Sequence, residues 1–243
     1  MRIEGATALV TGANRGIGKA FAEELLARGA AKVYAGVRDP ATITDPRLAA
    51  VRLDVTDEAR VREVAAELTD VDLVVNNAGT GHFNFPLDAD LEDARTEIEV
   101  NYLGIVSMTK AFAPVLAANG GGAFVNMLSV LSWFGAPVLS TYSASKAAAW
   151  LYSNAARVQL KGQGTEVVGV HVGYVDTDLI AAVDAEKLDP RLVPAAAFDG
   201  LEAGEVEVAV DQMSREIKAA LSDDHGQIYP TVEEQFLAQS AAA

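Results

Sequence analysis

Thr11-Gly12-Ala13-Asn14-Arg15-Gly16-Ile17-Gly18 follows a short apolar run, Ala6–Val10, and leads into Ile17, Phe21, Leu25 and Leu26 at helical spacing before Gly29. An apolar run closed by a glycine turn and followed by a 3.6-residue period reads as a buried strand feeding a helix. That order builds a phosphate cradle, because the first backbone N–H groups of a helix have no partner within it. Gly12 permits the tight turn, Gly16 lets a pyrophosphate approach the backbone, and Gly18 lets the helix pack close to the strand. The spacing is Gly-x-x-x-Gly-x-Gly and departs from the common G-x-G-x-x-G fingerprint. Alone, it leaves open a turn whose glycines serve only backbone geometry.

The rest of the chain repeats the alternation. Further strands are expected over Lys32–Val37, Leu48–Leu53, Val71–Val75, Ala123–Leu128 and Glu166–Val172. Helical periodicity fills the gaps: Val61, Val64, Ala65 and Leu68 after a cap at Thr56 or Asp57, then about Leu87–Ala118, then Tyr142–Leu160. Pro114 is expected to kink or interrupt the second of these. Strands alternating with helices predict an α/β fold, a doubly wound parallel sheet of Rossmann type with helices on both faces, in a single domain over residues 1–243. Asp178–Gly200 reads as a long connection of the kind that forms lids. A helix over Glu202–Leu221, a last strand around Gln227–Tyr229 and a fraying tail over 230–243 complete the expectation.

Composition narrows the function. Of 243 residues, 50% are hydrophobic, which suits one domain with a large core, and the formal net charge is −15. So acidic a chain is not expected to bind nucleic acid or an anionic membrane through its general field. Cysteine is absent, which excludes thiolate chemistry, and the three histidines have no metal-ligand spacing, so no metal is expected. No signal-peptide pattern and no uninterrupted apolar stretch near the ~20 residues of a membrane span is seen, and the expected compartment is the cytoplasm.

The tip of the second strand, Val37-Arg38-Asp39, bears on the cofactor. An acidic residue there suits the ribose hydroxyls of NAD, whereas a basic one suits the 2′-phosphate of NADP. Arg38, with Arg15 from the glycine loop, favours NADP(H), since guanidinium–phosphate pairs can be bidentate. Asp39 dissents: it could bind ribose or pair with Arg38. Asp54 stands at the carboxyl end of its strand, where α/β sheets bind ligands.

Tyr142 and Lys146 lie four apart on an expected helix and share one face. An ammonium beside a phenol favours the phenolate, which predicts a lowered tyrosine pKa and a usable proton donor and acceptor. Ser129, at the end of the fifth strand, could hold the same substrate oxygen.

Taken in order, Thr11…Gly18, Asn76-Asn77-Ala78-Gly79, Asn101, Ser129 and Tyr142…Lys146 resemble the short-chain dehydrogenase/reductase family in its compact single-domain branch. The resemblance implies catalytic roles for Asn101, Ser129, Tyr142 and Lys146: Tyr142 as acid/base, Lys146 on the nicotinamide ribose, Ser129 on the substrate oxygen, and Asn101 on a water that resupplies protons. It implies cofactor contacts at Gly12, Asn14, Arg15, Gly16, Ile17, Gly18, Arg38, Asp54, Val55, Asn77, Ala78, Gly79, Val175 and Thr177, besides Tyr142 and Lys146. Two departures stand out. Val172 replaces the proline usual before Gly173, and the chain lacks the C-terminal ending common in tetrameric members. A homo-oligomer is nonetheless expected, of unresolved order.

The expected activity is NADP(H)-dependent interconversion of a ketone or aldehyde with its alcohol. A non-catalytic NADP-binding regulator on the same fold is the alternative, and an epimerase or dehydratase a third reading. His82, Val130, Trp133, Phe134, Tyr174 and Leu179 follow strand ends or sit in the expected lid. With Phe83 and Ile180 they suggest an apolar or aromatic substrate pocket with no charge dedicated to an acidic substrate.

Overall fold

The computed structural model describes residues 1–241, with side chains to residue 238. Seven strands form one sheet: β1 Thr7–Thr11, β2 Lys32–Val37, β3 Ala49–Arg52, β4 Leu73–Asn76, β5 Gly122–Met127, β6 Thr165–His171 and β7 Glu207–Ala209. Their order is β3-β2-β1-β4-β5-β6-β7, and every pairing is parallel. The order reverses beside β1, between β1 and β4, so the crevice at their carboxyl ends opens there. The helices are α1 Gly16–Ala27, α2 Glu58–Glu67, α3 Leu91–Ile98, α4 Gly104–Ala118, α5 Ser140–Leu160, α6 Leu192–Ala203, α7 Gln212–Ala220, α8 Asp224–Gln227 and α9 Tyr229–Ala241.

Both faces of the sheet are covered, which is why its central strands are near-continuous apolar runs. On one face Phe21 and Leu25 of α1 and Phe198 and Leu201 of α6 pack on Ala8, Val10, Val125 and Val170. Phe21 and Phe198 meet edge to face, 5.4 Å between centroids. On the other, Met108, Phe112 and Leu116 of α4 join Val61 and Val64 of α2 against Leu9, Val74 and Phe124.

The expected long helix is real but differently built. Leu91–Ala118 is a continuous helical stretch of 28 residues, and by length and by the apolar character of one 18-residue window within it, it could cross a membrane. Its buried residues Met108, Phe112 and Leu116 face the sheet, as a core helix requires. Pro114 does not interrupt it. The proline lies in the last turns, and both it and Lys110, whose carbonyl it leaves unpaired, are exposed to water. The irregular turn is instead a π-helical one at Glu99–Leu103, around Asn101.

The C-terminal third departs most from expectation. The connection after Asp178 is shorter, because α6 starts at Leu192. No helix spans 202–221. Gly204 ends α6 with φ +77°, a left-handed cap that glycine adopts freely, and β7 and α7 follow. Val208 then pairs beside Val170 at the sheet edge. Gln227–Tyr229 is not a strand, and the chain from Tyr229 to Ala241 is helix rather than frayed tail. Buried Ile228 anchors this segment, and Pro230 falls in the first turn of α9, where its missing N–H costs nothing.

Candidate active site

The glycine turn is tied to the end of β4. Thr11 Oγ1 accepts the backbone N–H groups of Asn77 and Ala78 at 2.9 and 3.0 Å, and Asn77 Nδ2 donates to the Thr11 carbonyl at 2.9 Å. Gly12 and Gly16 have φ of +68° and +51°, so both positions demand glycine. Thr177 packs against the same turn, its methyl 3.3 Å from where a Gly16 Cβ would stand. Next along the sheet, Asn76 Nδ2 donates to Asn126 Oδ1 at 2.8 Å, and Asn126 Nδ2 to Ser153 Oγ at 2.8 Å. This buried amide ladder stitches β4, β5 and α5 just below the crevice.

Ser129, Tyr142 and Lys146 open on one cavity of ≈ 970 Å³, which runs on to Ile17 at the glycine turn. Burial pushes the Tyr142 phenol up to about 12; the Ser129 side chain, hydrogen-bonded to it, pulls the other way, and the charge of Glu97 adds to the rise. Lys146 is almost fully buried, donates to the Met127 carbonyl at 2.9 Å, and is brought down to about 8 by burial. The expectation that Lys146 lowers the tyrosine pKa is therefore not met. The lysine is spent on a carbonyl, its Nζ lies 5.7 Å from the phenol ring centroid, and desolvation dominates both groups. Asn101 is fully buried in the π turn; it accepts from Thr80 N at 2.9 Å and donates to Thr80 O and Ser145 Oγ. Its Oδ1 and Lys146 Nζ flank Gly79, at 3.2 and 3.6 Å from a would-be Cβ.

A family model described as short chain dehydrogenase matches residues 6–188. This chain belongs to the short-chain dehydrogenase family. A sorbitol dehydrogenase of Cereibacter sphaeroides is 34% identical over 204 residues, 80% of each chain. A cis-4-hydroxycyclohexanecarboxylate dehydrogenase of Sinomonas cyclohexanicum is 37% identical over 191 residues, covering 74% of this chain and 77% of that one. A crystal structure of a short chain dehydrogenase from Burkholderia cenocepacia in complex with NADP superposes with a TM-score of 0.91 at 40% identity, over 96% of this chain and 99% of that one. General dehydrogenase or reductase chemistry follows from that membership.

Within this short-chain dehydrogenase the remaining predicted residues divide clearly. Asn14, Arg15 and Arg38 are exposed at the mouth of the glycine turn and the tip of β2. Arg15 is paired with Asp178, while Arg38 has no ion-pair or hydrogen-bond partner among the described residues. Asp39 caps the turn at Pro40–Thr42 through Ala41 N, so it is not the partner of Arg38. Asp54 accepts from Thr56 N and Oγ1, and Val55 is buried in the core. Val175 is buried, bridged to Leu188.

Val130, Phe134, Tyr174 and Leu179 line the cavity, as does Phe83. Trp133 and His82 do not. The turn at Val130–Ser132 carries Trp133 beneath Ser129, where the indole stacks on the His171 ring, 3.9 Å between centroids. His82 faces away, toward Glu97 and Asp93 at 3.4 and 3.6 Å. Much of the wall was not legible in the sequence: Val183, Met213 and Ile217, with Ile228 and Val232 from the C-terminal helices. The one usable signal was their apolar character, in stretches read as lid (Val183), helix (Met213 and Ile217), last strand (Ile228) and tail (Val232).

His171 sits behind Ser129, fully buried, with Nδ1 3.0 Å from the Ser129 carbonyl oxygen. Burial lowers its pKa. An unfolded histidine takes a proton near pH 6.5, so below that pH the unfolded state binds protons that the folded state refuses. Stability is therefore expected to fall as pH drops from 7 to 5. Thermal unfolding of wild type and His171→Gln at both pH values checks this: the variant should show a smaller drop, and an equal drop would refute it.

Proposed function

We propose that this protein is an NADP(H)-dependent oxidoreductase that interconverts an apolar ketone or aldehyde with its alcohol, using Tyr142 as acid/base. One observation carries the reading: Tyr142, Ser129 and Lys146 line a single cavity that continues to the glycine turn. The turn suits a dinucleotide. Gly12 and Gly16 have the positive φ that frees backbone N–H groups toward a phosphate, and a Cβ at Gly18 would overlap the Gly12 carbonyl. Arg38, exposed and uncommitted among the described residues, is suited to a 2′-phosphate. The NADP complex of the Burkholderia relative agrees.

The cofactor, when bound, supplies or accepts the hydride. The protein handles the proton. In reduction, Ser129 donates to the substrate oxygen and Tyr142 transfers its proton as charge develops there. Lys146, charged below about 8, is the nearest cation from which the phenolate can be stabilised. In oxidation the same groups run in reverse. Apart from Lys146, the charged residues lining the cavity are Asp184 and Glu216, both acidic and both exposed at its rim. Such a site favours a neutral, apolar substrate over a carboxylate or phosphate.

A screen of NADPH and NADH against small, aromatic and steroid-like ketones tests this. Turnover is expected with NADPH and apolar ketones. Arg38→Ala should raise the KM for NADPH about tenfold or more while leaving that for NADH nearly unchanged, as loss of a charge-assisted contact predicts. A strong NADH preference in the wild type would overturn the NADP assignment, and steady cofactor binding without turnover on any ketone would overturn the enzyme.

A further inference from the structure

Glu97 is fully buried on α3, four residues before Asn101, yet it appears in no step above. Its Oε1 accepts the backbone N–H of His82 at 2.7 Å, and its Oε2 is buried with no hydrogen-bond partner. A buried carboxylate with an unused oxygen is costly, so its retention calls for a physical role.

The neighbouring segment supplies one. Thr80–Asn84 runs across the front of α5 and is tied down at alternate residues. Thr80 is held by Asn101, His82 by Glu97, and Asn84 by Val138 O, Thr141 and Ser140. The residues between, Gly81 and Phe83, line the cavity. Gly81 lies on the Tyr142 ring, so closely that a Cβ there would be 2.9 Å from Cδ2. Gly81 and Phe83 thus face the phenol and substrate space between anchored neighbours, and Thr80 lines the same cavity while its backbone is held by Asn101. Glu97 is the middle anchor, and α3 packs along α5, which carries Tyr142.

We propose that Glu97 is a positioning residue for Tyr142: through the His82 N–H it clamps the Thr80–Asn84 strap onto the phenol ring and so fixes the phenol in the cavity. The charged and titratable groups around it are His82 on the strap, Asp93 one turn earlier on α3, and Tyr142 and Lys146 on α5. A negative charge disfavours the phenolate, which agrees with the contribution of Glu97 to the raised tyrosine pKa. The inference rests on Tyr142 being the acid/base.

Glu97→Gln separates charge from clamp, because the glutamine carbonyl still accepts the His82 N–H. Glu97→Met, of similar volume, removes both and guards against a variant that fails to fold. The readout is the tyrosinate absorbance of the free protein across alkaline pH, taken as the difference from the same protein carrying Tyr142→Phe. It is paired with the pH profile of kcat/KM for ketone reduction across the same range. In both variants the Tyr142 titration should move to lower pH by about half a unit to one unit, roughly a three- to tenfold rise in phenolate below the midpoint. The alkaline fall of kcat/KM for ketone reduction, where the tyrosine loses its proton, should move to lower pH by a similar amount. Only Glu97→Met should also raise the KM for the ketone. A titration, a pH profile and a ketone KM all unchanged in whichever variant folds, with Tyr142→Phe inactive, would overturn this role for Glu97 alone. An active Tyr142→Phe would instead remove the acid/base assignment beneath it.

Discussion

Tyr142→Phe is expected to cut turnover by about 10²- to 10⁴-fold while leaving NADPH binding within about twofold of wild type, the range general acid–base catalysis supplies. The substitution removes one oxygen and nothing else. The ring stays against Gly81, Lys146 keeps its bond to the Met127 carbonyl, and Ser129 keeps its contacts with Leu131 N and Ser132. The hydroxyl is the group hydrogen-bonded to the Ser129 side chain, so its loss removes the proton that the proposed mechanism delivers. Steady-state rates with an apolar ketone, beside a fluorescence titration with NADPH, make the measurement. Turnover kept within a few-fold would show that another group donates the proton.

Gly18→Ala should do comparable damage by a different route. A Cβ at Gly18 would stand 2.1 Å from the Gly12 carbonyl oxygen and 2.4 Å from Asn77 Nδ2. The first contact is backbone, and Asn77 is held by its own bond to the Thr11 carbonyl, so neither can step aside. The start of α1 must move off β1, which opens the turn and misplaces its N–H groups. Destabilisation at or above the upper end of ordinary overpacking, about 3 kcal/mol, is expected, with loss of NADPH binding. Gly162→Ala is the control: nothing lies within 4 Å of its would-be Cβ. Thermal unfolding and NADPH titration of both variants decide the matter. A Gly18→Ala protein that melts and binds like wild type would mean that the turn tolerates a side chain.

The parallel sheet was legible because its central strands are buried on both faces and read as apolar runs between glycine turns. Catalytic candidates were legible because short-chain dehydrogenases keep them at recurring spacings along those strand ends. Failures cluster after Thr177. There α6, β7 and α7 are short, and the breaks between them rest on Gly204 and on the Asp211 cap, signals too local to outweigh a helical period. The C-terminal helix could not be recognised from its composition, because what orders it is the docking of Ile228 and its neighbours on distant segments.

His82 and Trp133 teach the same lesson at the level of single side chains. Both follow strand ends, where a ligand is expected, yet one turns to Glu97 and the other to His171. Direction within a loop depends on partners far away in sequence, and no spacing rule supplies it.

By itself, the sequence determined the strand–turn–helix at Thr11–Gly18, the alternation that makes a doubly wound sheet, and the order of Asn101, Ser129, Tyr142 and Lys146. These follow from local periodicity, glycine stereochemistry and spacing along the chain. Only the tertiary structure decided that the Tyr142 pKa is raised rather than lowered, that Lys146 spends its proton on Met127, that helices from the far end of the chain wall the cavity, and that a buried Glu97 lies beneath the Tyr142 strap. The physical reason is that desolvation and charge act through space, and which groups share a space is settled only when the chain has folded.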